Sequence, residues 1–600
     1  MMINVNYQKR KNTELFKILE ENNSLLLSNT QNFIPIYKRF FNLNETNYNS
    51  VNLNHLSFIS NIKNHDDDDN LYKCKIKNIN NQKIKEKNVF FKLAPLIDPY
   101  KFLIGKFVNE NDTIFNLPQI NSTEITTHKR YLDPNNSAYI DGFFLFLTNN
   151  LNHCHNFMHG IEYYGSFLAI KNDFKINIFD DLDYLIKSNY FNENKNILFK
   201  VDDYENYFQE ETEKKEPIKI GRQLSLKSNI SIKSFNDEIF ENIFEKNTIG
   251  LESIKNIQEL EDLTNANLFL NNFDTNTATL KSNSSSNCSS RTSHTTTENN
   301  DDKCDNCDYE NDNENDDNIE SKQNEENEEY KDEEENEEEY EEEDDEEEKI
   351  EVTIPKFPIQ LIAMEHCENT FDDLILNNDL KPEEWFSAFM QIIMILITYQ
   401  KSFSFTHNDL HTNNVMYNHT DKKYIYYCYK KKYYKVPTFG RLFKIIDFGR
   451  SIYKFDGKLF CSDCFQIGED AATQYNTEPY FNDKKPRLEP NFSFDLCRLA
   501  CSIFDYIVDD LDDVKNLDKC DPVKKLVIEW CLDDKGINML YKNNGTDRYP
   551  DFKLYKMIAR CVHNHTPQNQ LDRPEFDAFS KFTDTIPKDI IDIDKIPIYI

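Results

Sequence analysis

Four residues in one short stretch, Phe405-Thr-His-Asn-Asp-Leu-His-Thr-Asn-Asn-Val-Met416, have the types that phosphoryl transfer needs. Asp409 offers a carboxylate to the proton of an attacking hydroxyl, and His407 and His411 flank it. Asn414 stands five residues on, at the far end of the same loop, where an amide oxygen can reach a metal ion. Downstream, Lys444-Ile-Ile-Asp-Phe-Gly449 places Asp447 after the apolar residues Leu442, Phe443, Ile445 and Ile446, so a charged metal ligand follows a buried strand. A base and a two-ligand cation site in this order suit transfer of a phosphoryl group from a nucleotide. Asp-Phe-Gly alone recurs by chance as a turn between strands, and its place downstream of the loop gives it weight.

Several elements must position these groups. Strand-like runs cover Leu56 to Ile62, Leu71 to Ile76 and Asn88 to Leu93, split by the turn-like Asn64 to Asp69 and Asn78 to Lys87. A short helix is expected from Asn12 to Glu20, and an amphipathic one over 137–150. Gly160 to Ile170 reads as the edge of a strand pair, and Phe357 to Cys367 as an apolar strand. Pro382 to Phe405 carries a long helical pattern that delivers the chain to the loop. Tyr424 to Lys435, aromatic and basic, reads as an extended hairpin; this composition also suits nucleic acid or the chain's own acidic tract, but a plain hairpin is the expectation.

The chain has 600 residues and a net charge of −36, ample for more than one domain. Residues 301–349 hold 29 acidic residues against four lysines, so −25 of that charge belongs to one tract and not to a catalytic surface. Residues 206–350 form an insertion expected to be disordered, acting as a spacer or as a tether for a basic partner. No apolar leader opens the chain, and the longest apolar run, Phe389 to Tyr399, is too short to cross a bilayer. No membrane or nucleic-acid partner is expected. Fourteen cysteines in a chain of this length point to a reducing, cytoplasmic setting. Two Cys-x-x-Cys pairs, Cys304/Cys307 and Cys461/Cys464, have the number of ligands zinc takes but no accompanying histidine spacing, and free thiols are expected.

The order Lys92, Asp141, Met364-Glu365, His407-x-Asp409, Asn414, Asp447-Phe-Gly449, Asp495 and Arg573-Pro-x-Phe576 resembles the eukaryotic-type protein kinase superfamily over roughly residues 55–205 and 351–585. Val89-Phe-Phe-Lys-Leu-Ala-Pro, His159-Gly-Ile-Glu-Tyr-Tyr-Gly and Lys444-Ile-Ile-Asp-Phe-Gly-Arg450 are similar to serine/threonine kinases encoded by giant DNA viruses such as the mimiviruses. The Asp-Leu-His of the loop is also similar to haspin-like kinases and small-molecule phosphotransferases.

The resemblance implies an α+β, two-lobed fold: a mainly antiparallel β small lobe (51–205 and a last strand and hinge, 351–366) and an α-helical large lobe (367–590), with an N-terminal extension (1–50) and a C-terminal tail (591–600). It implies ATP as donor, Mg2+ as cofactor and a protein hydroxyl as acceptor, in the cytoplasm of a host cell if viral, with virion packaging a further option. Lys92 would hold the phosphates with Asp141 as partner (Glu162 the runner-up), Glu365 and Cys367 would meet adenine behind Met364, and Asp372 and Asp373 would reach the ribose. Asp409 would be the base, and Asn414 and Asp447 the Mg2+ ligands. Asp495 would accept backbone N–H groups of the loop. His411 stands where such kinases have lysine, and Asn408 replaces the arginine that pairs with a phosphorylated activation segment (here 450–489), so control by that phosphorylation is not expected. Arg573 would pair with Glu478 or Glu489. One departure is plain: the first glycine is Gly105, so no glycine-rich loop precedes Lys92. A non-catalytic binding scaffold and a small-molecule phosphotransferase stay as alternatives.

Overall fold

The computed structural model describes residues 2–63, 70–204, 350–583 and 585–600. The acidic insertion, its expected disorder and basic partner, the Cys304/Cys307 pair and the turn at Asn64–Asp69 lie outside the described residues. The architecture is mixed α and β, with antiparallel sheets leading and helices dominating the second half.

The N-terminal part is built on one antiparallel sheet. Helix α1 (Thr13–Glu20) precedes β1 (Leu27–Gln31), followed by β2 (Ser57–Ile62), β3 (Leu71–Asn78) and β4 (Ile84–Pro95). After α2 (Pro99–Leu103) comes α3 (Ser137–His155), then β5 (Tyr163–Asn177) and β6 (Glu351–Glu365). The spatial order is β1-β5-β6-β4-β3-β2, and Lys200–Val201 adds a short seventh strand beside β6. Alternation explains β4: Val89, Phe91 and Leu93 share one face and are buried, while Lys92 points to the other. In register, Lys92 lies opposite Ile362 and Phe90 opposite Met364.

Two sequence expectations change here. The Gly160–Ile170 stretch is no edge: β5 lies between β1 and β6. The edge is β1, from the supposed extension, whose Leu-Ser-Asn-Thr-Gln has one apolar residue and so no legible alternation. Helix α3 is longer than expected and not amphipathic, since residues 138–151 are all buried. It is wedged between the sheet and the second half of the chain. Gly160 permits that close approach, because a Cβ there would sit 2.3 Å from the Thr148 carbonyl oxygen.

The second half opens with α4 (Phe371–Asn377) and α5 (Pro382–Phe403), which starts with proline and two glutamates in its first turn and is buried along most of its length. Strands β7 (Val415–His419), β8 (Tyr424–Tyr429), β9 (Lys432–Pro437) and β10 (Arg441–Ile445) follow. The β8–β9 pair is the expected hairpin, turned by Lys430 and Lys431 at φ 50° and 60°. A second hairpin joins β11 (Ile452–Phe455) to β12 (Lys458–Cys461). Helices α6 (Phe494–Ile507), α7 (Pro522–Trp530) and α8 (Lys553–Cys561) complete the core. The last ten residues are no loose tail. β13 (Ile591–Asp592) pairs parallel with β8, and the Tyr599 hydroxyl accepts from the Ile3 N–H at 3.1 Å and meets His155 Nε2 at 2.9 Å.

Candidate functional site

Lys92 is the centre of the site. Strand β4 aims it at α3, and its Nζ lies 2.5 Å from Asp141 and 3.1 Å from Asp447 with only 6% exposure. Burial alone would pull the ammonium pKa down, but Asp141 and Asp447 outweigh it and hold it above the ordinary lysine value. Burial pushes the Asp447 carboxyl up, with Lys92 opposing and Asp141 and Asp409 reinforcing. Asp141 does a second job, accepting the Phe448 N–H at 2.9 Å, so one carboxylate grips both the lysine and the backbone after Asp447. Phe448 is buried among Phe144, Tyr399, Phe405 and His407, and Asp447 adopts φ 61°. Glu162, the runner-up partner, instead faces Lys87 and His153.

The loop carrying Asp409 is held from below. Asp495, in the first turn of α6, accepts the N–H groups of His407 and Asn408, each at 2.9 Å. His407 Nε2 bonds the Ile446 carbonyl at 2.9 Å and its Nδ1 accepts the Asp409 N–H at 3.3 Å, which suits a ring proton on Nε2. Asn408, at φ 65°, bonds the Arg450 carbonyl through Nδ2 and accepts from the Tyr475 hydroxyl at 2.8 Å. Asn408 thus ties the loop to the segment after Asp447 through neutral contacts.

Asp409 accepts the Tyr555 hydroxyl at 2.7 Å. Burial would raise its pKa, but Arg450, His411, Arg498 and the Tyr555 bond bring it down to about 2. Asn414 Nδ2 donates to the Asp409 carbonyl at 2.9 Å and meets His411 Nε2 at 3.0 Å, so Oδ1 is the atom it offers to a cation. Pairing of Val415 with Ile445, and the Ile446 N–H on the Asn414 carbonyl at 3.0 Å, set Asn414 beside the Asp447 turn. A carboxylate and an amide oxygen are hard donors of the kind Mg2+ takes. Among the described residues another cluster, Cys428, Asp592 and Asp594, brings ligand atoms within 4.8 Å of one another. Its thiol is a poor match for Mg2+, and Asp594 already accepts the Lys430 and Lys431 N–H groups.

Met364 and Glu365, expected at a hinge, end β6, and Cys367 follows it. Met364 is buried. The Glu365 N–H donates to the Glu162 carbonyl at 2.8 Å, and its carboxylate takes Lys444, the Glu162 N–H and Asn418. Of the backbone groups expected to meet a base, the Glu365 N–H is thus already engaged. Burial pushes the Cys367 thiol up to about 12. Asp372 and Asp373, expected near a ribose, are engaged within the protein. Asp372 is fully buried and bonds the Thr412 and Tyr506 hydroxyls, bracing the Asp409 loop, and Asp373 completes a capping box with Thr370. Arg573 pairs with Glu529 and bonds Gln570, whereas Glu478 and Glu489 both pair with Arg487.

Beside Asp447 lies a cavity of about 60 Å³ lined by Asp141, Asp447, Gly449, Arg450, Asp98 and Asp470 among others. An ionic seam closes it. Arg130 binds Asp463 twice, at 3.0 and 2.8 Å, and Glu469 at 2.9 Å. Lys101 binds Glu469 at 2.6 Å and Asp470 at 3.3 Å. Asp463 also accepts the Ser137 N–H at 2.9 Å, at the start of α3. None of these groups, nor Arg450, Arg498 or Tyr555, stood out in the sequence. Arg130 and Asp463 are 333 positions apart, and no local spacing signals such a pair. Cys461 and Cys464 form no disulfide. The chain matches no protein-family model, and no curated protein matches it in sequence.

Proposed function

We propose that the protein is an ATP-dependent phosphotransferase of the protein-kinase type, with a two-lobed fold, acting on a serine or threonine hydroxyl of a protein. The observation that carries this reading is the position of Lys92 between Asp141 and Asp447, with Asn414 and Asp409 on one braced loop. In this reading Lys92 holds donor phosphates, and Asp141 keeps Lys92 and the Asp447 turn in one arrangement. Asp447 and Asn414 Oδ1 would hold Mg2+, which when bound neutralises charge on the phosphates. Asp409 orients the acceptor hydroxyl. Its carboxylate accepts the proton of that hydroxyl.

The test is phosphoryl transfer from Mg-ATP to a panel of protein acceptors. Asp409→Asn should lower kcat by about 10²–10⁴-fold, and Asp447→Asn should abolish Mg2+-dependent transfer. Wild-type transfer no greater than that of Asp447→Asn would sink the reading.

A further inference from the structure

The hydroxyl of Tyr555, half-buried on α8, holds the position on Asp409 that an acceptor hydroxyl must take: it donates to Oδ1 at 2.7 Å. Two guanidinium groups stand beside its ring. The Arg450 guanidinium carbon lies 5.6 Å from the centre of the Tyr555 ring and that of Arg498 lies 5.0 Å from it. Both arginines are only 7% exposed. Neither forms an ion pair within 4.0 Å among the described residues, and Arg450 Nε and Nη2 and Arg498 Nε have no hydrogen-bond partner there. Asp409 is the carboxylate shared by the two, with Asp470 acting on Arg450 from further off. Buried guanidinium groups with unpartnered N–H atoms beside one hydroxyl are suited to phosphate oxygens.

We infer that Tyr555 is a self-phosphorylation site, modified in cis by the centre it occupies, and that Arg450 and Arg498 receive the resulting phosphate. The inference rests on the function proposed above. Tyr555 Oη attacks the terminal phosphorus of the nucleoside triphosphate, and the bond from that phosphorus to its bridging oxygen breaks. The diphosphate leaves with the electron pair, and the phenolic proton passes to Asp409. Presentation by the chain itself supplies the high effective concentration that lets a tyrosine react where diffusing acceptors are serine or threonine. The new dianion is repelled by Asp409 and attracted by the two guanidinium groups, so its formation clears Asp409 for external acceptors.

The full-length, phosphatase-treated protein is incubated with Mg-ATP at several protein concentrations, and phosphate is mapped by peptide mass spectrometry. Phosphate on Tyr555, gained at a first-order rate independent of protein concentration, is expected. Tyr555→Phe should also lose the lag before transfer to an external acceptor. A binding measurement needs no turnover: phenyl phosphate should raise the melting temperature of Tyr555→Ala and not that of Tyr555→Ala with Arg450→Gln. Transfer to external acceptors with Tyr555 unmodified overturns the inference and leaves the proposed function standing. An absence of transfer to any acceptor overturns both, and no effect of phenyl phosphate on Tyr555→Ala removes the phosphate seat.

Discussion

Lys92 is stabilised by being outnumbered. A buried ammonium facing two carboxylates has its desolvation offset by the pair, whereas the carboxylates without it face each other at short range. Lys92→Met should therefore destabilise the fold by about 3–5 kcal/mol at neutral pH. The loss should shrink as the pH falls and the orphaned acids protonate, which denaturant titrations at two pH values would read. The loop residues were legible in the sequence because their roles are local: Asp409 and Asn414 share one short loop, and Asp447 follows its strand at once. Tyr555 and Arg498 were illegible because they meet Asp409 only through folding, Tyr555 from 146 positions away.

At the scale of elements, the seam between α2 and the segment after β12 is where charge and geometry compete. Asp98 caps α2 through the Tyr100 and Lys101 N–H groups and faces Asp470, Lys101, Arg130 and Tyr184. Burial, and then Asp470, push its pKa up from 3.8 to about 6. A carboxyl raised on folding favours the folded state most when protonated, so its contribution falls as the pH climbs from about 4 through 6. Asp98→Asn keeps the cap and removes the titration. Its melting temperature relative to wild type should rise between pH 4 and pH 7 and be level above; a constant difference would refute the assignment. Strands β2, β3 and β4 could be read from alternation, and α5 from its apolar length. Helix α3 could be placed but not described, since a helix buried on every side shows no polar stripe.

At the scale of the molecule, the chain ends are structural. Tyr599 is 6% exposed, stacks on Phe403 and Phe455 with ring centres 5.6 and 5.9 Å away, and donates its N–H to the Ser402 carbonyl. Through His155 it also holds the C-terminal end of α3, the helix that carries Asp141. Deleting residues 597–600 should cost about 3–5 kcal/mol, the price of losing a buried aromatic. It should also lower kcat more than it raises KM for the nucleotide, because α3 loses an anchor. An unchanged melting temperature after this deletion would refute the anchoring role.

The entry and exit of the acidic insertion carry one more consequence. Val201 pairs with Val352, and the Asp202 N–H donates to the Glu351 carbonyl at 2.9 Å, so the 145 residues between Tyr204 and Ile350 leave and rejoin the fold at adjacent strands. Closing a long loop costs only about 0.6 kcal/mol for each doubling of its length. The fold is thus nearly indifferent to how many residues pass through this gate. It is a natural port in the chain, where a reporter domain, a cleavage site or new termini can be installed without re-threading the sheet.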